Sequence, residues 1–193
     1  MREDQLIYGL KSGDNAAFKV LVENYRQKVV SMCMGYTGDY DAALDLAQDV
    51  FVEVHRSVKN FRGDSKISTW IFRIAVNKSL NWVRDNKKHK QAKSIERFFG
   101  KEDGKNENLQ IQDQKTKDSS EILENAEDGI IIRRAIDSLP ENQRTAFILN
   151  KIDGFSYKKT AEIMKMSLPA VEALIHRARK SLQKELVSVY KGL

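Results

Sequence analysis

A chain of 193 residues with 41% hydrophobic content and a formal charge of +6 has room for one ordinary domain or two small ones. A lone cysteine, Cys33, excludes an internal disulfide and a thiolate metal cluster, and prolines only at 140 and 169 leave long helices uninterrupted. No run is apolar enough to span a membrane, and Met1-Arg2-Glu3-Asp4 turns acidic at once, so the reading is a reduced, cytoplasmic protein without membrane insertion.

Charge falls in blocks. Asp39–Glu53 holds five acidic residues and no Lys or Arg, whereas Asn60–Lys93 holds nine basic residues against Asp64 and Asp85. Ser94–Gly129 is acidic again, ten against five, and Lys151–Lys184 is basic, eight against three. Alternation of this kind suggests two faces for a polyanion and a separate acidic docking surface. Any one block also reads as a solvated face.

The first long helix is expected from Asp14, whose carboxylate can cap free amides. Phe18, Leu21, Val22, Tyr25, Val29 and Cys33 form its apolar stripe, and Gly35 and Gly38 break the pattern. Asp39 caps the next helix, which buries Ala43, Ala47, Val50, Phe51, Val54 and Val58. Its other face carries Asp41, Asp45, Gln48, Asp49 and Val52.

Phe61-Arg62-Gly63-Asp64-Ser65 reads as a turn, and a further helix runs to about Lys88 on the anchors Trp70, Ile71 and Ile74. Lys66, Arg73, Asn77, Asn81, Arg84 and Lys88 share one face of it. Four cations and two amides suit phosphates and base edges, or simply water. Trp82 reads as a packing residue.

From His89 to Asn125 no hydrophobic period is sustained, the composition of a flexible polar linker. Ser94–Phe99 is assigned no stable element. A second unit begins near Ile130, with Ile132, Ala135, Ile136 and Leu139 on one edge and Pro140 at the start of the following helix. Ala146, Phe147, Leu149 and Ile152 precede the break at Asp153-Gly154. Ser156 and Ser167 cap two successive helices about a tight turn at Lys165-Met166, a helix-turn-helix pattern. On the last helix Val171, Ile175, Ala178 and Leu182 face the core with Leu174 at its border. Pro169, Ala173, His176, Arg177 and Lys180 gather opposite.

The expected fold is therefore all-α. Two small helical domains, 1–90 and 129–193, are joined by a flexible linker, 91–128, and the second contains the helix-turn-helix. No nucleotide-binding glycine loop, metal-ligand set or catalytic constellation is read, so neither enzyme activity nor a cofactor is expected.

These segments together resemble the extracytoplasmic-function members of the bacterial sigma-70 family, over nearly the whole chain outside the linker. The likeness is carried by Asp45–Phe51, Phe61–Ser65 and Thr69–Asn77 in the first domain. In the second it is carried by Leu139–Arg144, Gly154–Tyr157 and His176–Arg179. The resemblance implies a factor that binds core RNA polymerase, directs it to promoter DNA and promotes melting. By position, Asp45, Gln48 and Asp49 match the contacts to the clamp helices of the largest polymerase subunit. Arg62, Gly63, Asp64, Ser65 and Lys66, with Arg73, Asn77 and Arg84, match the part that captures the minus-10 strand.

The second domain matches the minus-35 reader, giving Lys158, Lys159, Pro169, Glu172, Ala173, His176, Arg177 and Lys180 as its DNA face. Lys158 and Lys159 stand where acidic residues are common in the family, and Glu172 and Leu174 where basic ones are frequent. The promoter sequence therefore cannot be read from these positions. An anti-sigma factor is an implied partner. The runner-up reading, a stand-alone helix-turn-helix regulator, leaves the acidic helix and the Arg62–Lys88 unit unexplained.

Overall fold

In the computed structural model the backbone is described for residues 2–99 and 119–191, and side chains for 2–88 and 128–188. Every regular element among them is helical.

The first unit stacks α1 (Glu3–Ser12), α2 (Asn15–Thr37), α3 (Tyr40–Ser57) and α4 (Ile67–Phe99), with a 3-10 turn at Val58–Asn60. The two aspartates expected to cap do so: Asp14 accepts from the Ala16 amide and Asp39 from the Ala42 amide, each at 2.8 Å. Each occupies one of the amide groups left free at a helix start. Leu21, Val29 and Cys33 of α2 meet Ala43, Ala47, Val50 and Val54 of α3 and Ile67, Ile71 and Ala75 of α4 in one buried core. Cys33 is a core residue; burial pushes its thiol up to about 11, against a weak opposing hydrogen bond from Ser79.

Gly35 does not end α2, which runs on to Thr37. The helix closes at Gly38, whose φ of 69° lies in the left-handed region that side chains avoid. The fourth helix also continues past Lys88 to Phe99, through the stretch given no element. Lys, Gln and Ala are good helix formers, and no Gly or Pro stands before Gly100.

The second unit holds α5 (Ser119–Ser138), α6 (Glu141–Phe147), a π-helical turn (Ile148–Ile152), α7 (Tyr157–Met164) and α8 (Leu168–Lys191). Thus α5 starts eleven residues before the expected Ile130, and helix enters 91–128 from both sides; residues 100–118 of that linker lie outside the described ones. Ser156 caps α7 through the Lys159 amide at 3.1 Å, and Lys165 makes the turn at φ 54°. Val171, Ile175, Ala178 and Leu182 of α8 are buried as expected, and Leu174 joins them. Ile132 of the expected edge and Ile152 before the Asp153-Gly154 break are instead exposed.

The two units are not independent bodies. Leu149 and Ile163 of the second unit belong to the same apolar cluster as the α2–α4 core, with Phe155 and Met164 packed against it. Two smaller clusters, Ala135/Ile136/Leu139/Ala178/Leu182 and Ala146/Ala161/Val171/Leu174/Ile175, hold the second unit together.

Candidate nucleic-acid interface

Three surfaces emerge from this packing. On α3, burial of Ala43, Leu46, Ala47, Val50 and Val54 forces the intervening positions outward. Asp41, Asp45, Gln48 and Asp49 are all exposed there, beside the exposed Val52. Beside this acidic ridge runs an apolar groove between α2 and α3, lined in part by Val22, Val30, Leu44 and Phe51. Carboxylates in water beside apolar ground suit a basic protein helix and repel DNA phosphates.

The second surface starts at the loop before α4. Arg62, Gly63, Asp64 and Lys66 are exposed and Ser65 is half-buried. Gly63 takes φ 84°, so the turn needs a residue without Cβ strain. The loop is anchored beneath: Phe61 stacks near Trp70, ring centres 5.2 Å apart, and the Ile67 amide donates 2.8 Å to Glu3 Oε1. From there the polar stripe follows α4. Lys66, Asn77, Asn81, Arg84 and Lys88 are exposed, while Arg73 is half-buried.

The third surface is the outer face of α8. Pro169, Glu172, His176, Arg177 and Lys180 are exposed and Ala173 is half-buried, opposite the buried Val171–Leu182 stripe. Lys158 is exposed at the start of α7. Lys159 behaves differently: its ammonium turns inward and donates to the Thr69 hydroxyl of α4, with Glu162 3.6 Å away.

That contact is one of several joining α4 to the second unit. Arg73 donates from Nη2 to the Glu162 carbonyl of α7 at 2.8 Å, and Arg84 forms a two-pronged pair with Glu141 at 3.0 and 2.6 Å. So the structure brings three of the cations read as DNA contacts against the other unit and leaves the rest facing water. Among the described residues no group of His, Cys, Asp and Glu is placed to hold a metal ion.

Nothing in the sequence points to Arg133, and it offers Arg144 only as part of a matching motif and Asp153 only as a helix break. Arg133 donates to the Met34, Gly35 and Tyr36 carbonyls, and Arg144 donates to Tyr36 O at 2.9 Å. Asp153 is buried; its carboxylate accepts 3.0 Å from Ser31, and its own carbonyl accepts from the Lys28 ammonium. Desolvation pushes Asp153 up to about 6, against the lowering effect of Ser31 and Lys28. A buried Arg or Asp breaks an apolar period without announcing its partner, so periodicity could not have found them.

Known proteins share this architecture. The model of sigma-70 region 2 matches residues 21–89, and that of sigma-70 region 4 matches residues 130–182. The RNA polymerase sigma-H factor of Pseudomonas aeruginosa is 30% identical over 190 residues, covering 96% of this chain and 94% of that protein. The ECF RNA polymerase sigma-E factor of Escherichia coli K12 is 32% identical over 195 residues, covering 96% and 95%. The chain belongs to the sigma-70 family, in its extracytoplasmic-function class.

As a sigma factor it is a non-catalytic subunit of RNA polymerase that binds the core enzyme and promoter DNA. Region 2 holds the acidic ridge and the α4 stripe, and region 4 holds the helix-turn-helix. Two solved structures share the fold at 22% identity. CnrH in complex with the cytosolic domain of CnrY covers 96% of this sigma factor and 97% of that chain at a TM-score of 0.66. The sigma factor RpoE in complex with the anti-sigma factor NepR, from Bartonella quintana, covers 88% and 96% at 0.55. No helix among the described residues of the sigma factor is long and apolar enough to cross a membrane.

Proposed function

We propose that the three surfaces divide the work of initiation. Asp45, Gln48 and Asp49 dock on the clamp helices of the largest polymerase subunit. The Arg62–Lys66 loop with Arg73, Asn77 and Arg84 captures the minus-10 strand, and Lys158, Lys159 and the outer face of α8 read the minus-35 duplex. One observation carries this division: a single helical core exposes the acidic Asp45/Asp49 ridge on α3 and the Asn77/Arg84 stripe on α4 as separate faces of unlike charge. Carboxylates select a protein partner, whereas cations interleaved with amides select phosphates and base edges.

Melting on this reading needs no covalent chemistry from the chain. Binding the separated strand more tightly than the duplex offsets base extrusion, which costs a few kcal/mol. An anti-sigma factor is a fitting partner, since both solved relatives were captured in complexes and the NepR complex is named as one. The place of action is the bacterial cytoplasm. Core polymerase reconstituted with the chain and a library of promoter fragments tests the reading. It should initiate from a subset sharing two spaced elements, and initiation no better than core alone would overturn it.

A further inference from the structure

Asp14, Asp39 and Ser156 each cap the helix they directly precede. The start of α4 is built differently. The Lys66 carbonyl accepts from the Trp70 amide at 3.2 Å, which puts Lys66 at the cap position, and a lysine ammonium has no acceptor to give. The acceptor comes from another helix: Glu3 Oε1, 64 residues away in the chain, lies 2.8 Å from the Ile67 amide. A carboxylate there also answers the positive end of the helix dipole. Glu3 is held in turn by the seat of α1. Leu6 and Leu10 are buried in the core shared with Val58, Phe61 and Ile67. A Cβ built on Gly9 would stand 2.7 Å from the Ala17 Cβ, so α1 lies against α2 at a distance that a larger residue would not allow.

Helix α1 also packs on the 3-10 turn Val58–Asn60. It thus touches the segment that enters the Arg62–Lys66 loop and, through Glu3, the helix that leaves it. From these contacts we propose that Glu3 is a positioning residue for promoter recognition, fixing the exit of the loop so that it meets the minus-10 strand in one shape. That role rests on the reading of the loop as the part that captures the strand. Arg62, Gly63, Asp64 and Lys66 face water, and Gly63, at φ 84°, is the residue type with the widest choice of backbone shape. Such a loop keeps one shape only where its ends are held. Without the tie, ordering the loop is charged to the moment of capture, and the loss is greatest for the bases that fit the ordered loop best. Glu3 therefore governs sequence preference as well as rate.

Glu3→Ala and Glu3→Gln, both in the full chain, test the role. Gln keeps an oxygen acceptor for the Ile67 amide and drops the charge, whereas Ala removes the bond. Each variant is assembled with core polymerase and given a promoter library randomised across the minus-10 element, every promoter marked by a transcribed barcode. Exchange of the Ile67 amide is read by NMR on the labelled chain, and thermal melting checks the fold. Glu3→Ala should speed that exchange and lower the preference for the favoured minus-10 sequence about fivefold, the size of one helix cap. Its melting temperature should move little, and Glu3→Gln should stay within about twofold of the parent in preference. A uniform fall in initiation with the preference intact would make Glu3 a structural residue only and overturn the proposal, as would equal relaxation in the two variants. Arg62→Ala with Lys66→Ala is the control on the loop. If that pair leaves the minus-10 preference unchanged, the reading of the loop falls and the positioning role with it. If the pair shifts the preference while Glu3→Ala does not, the loop keeps its role and Glu3 loses its own.

Discussion

Arg144 donates 2.9 Å to the backbone carbonyl of Tyr36, and its guanidinium lies 5.7 Å from the centre of the same residue's ring. The contact ties a residue of region 4 to the end of a region 2 helix. Burial pulls the Arg144 pKa down, and the Asp137 carboxylate 2.8 Å away pulls it back up. Arg144 is 4% exposed, whereas the Asp137 side chain is 43% exposed. Arg144→Ala should therefore cost about 2 kcal/mol, less than the ~3–5 kcal/mol of breaking a fully buried pair, because water reaches the partner left behind. Urea unfolding checks it, and a loss under about 0.5 kcal/mol would rank the residue with ordinary surface positions.

Asp153 makes stability depend on pH. Its carboxyl is raised from 3.8 to about 6 by burial, and its Oδ2 has no hydrogen-bond partner. A pKa higher in the folded state means that folding takes up a proton. The contribution is whole below about 3.8 and is lost as pH rises through about 6. Lys28, Cys33 and Tyr36 face the group, and burial raises both the thiol and the phenol, so neither ionises in that window. Asp153→Asn should gain roughly 1–2 kcal/mol over the parent at about pH 7.5 and flatten its decline from about pH 5. Paired thermal melts at the two pH values give the answer; parallel curves for parent and variant would contradict it.

The acidic ridge predicts a separation of binding from folding. Asp45 and Asp49 are exposed on the face of α3 away from Val50 and Val54. Asp45→Ala with Asp49→Ala should weaken core-polymerase binding at least tenfold, about 1.4 kcal/mol, in line with loss of a complementary charge pair. Thermal melting should move little, as for surface substitutions. Undiminished polymerase affinity in the folded variant would remove the docking role from this face.

Local patterns carried much of this architecture into view. The caps at Asp14, Asp39 and Ser156 could be read because each is a short polar side chain before an apolar period, and the structure uses all three. The buried stripe Val171/Ile175/Ala178/Leu182 followed from helical spacing alone. What escaped is long-range. Nothing near Gly35 says that Ile148 will pack against it, and nothing near Arg73 says that a carbonyl 89 residues away will take its proton donors. Glycine is a poor helix former and so reads as a break at Gly35; its actual use is a close approach to Ile148 of the other unit. The motif places Lys159 on the DNA face, yet its ammonium turns to Thr69 because the two units meet there.

The central claim is that the α4 face acts in promoter melting, and one comparison tests it most directly. Asn77 and Arg84 are exposed on the stripe away from Ile71 and Ala75, so replacing both with alanine should leave the core intact. Asn77 suits a base edge, and Arg84 a phosphate or a stacked base. Their losses need not add, since both belong to one track. Holoenzyme carrying Asn77→Ala and Arg84→Ala is assayed for transcription on a linear promoter and on the same promoter with its minus-10 region already mismatched and open. The account predicts a defect of about tenfold or more on the closed duplex, most of it recovered on the open template, with polymerase assembly unchanged. Equal impairment on both templates, accompanied by weakened assembly, would contradict it.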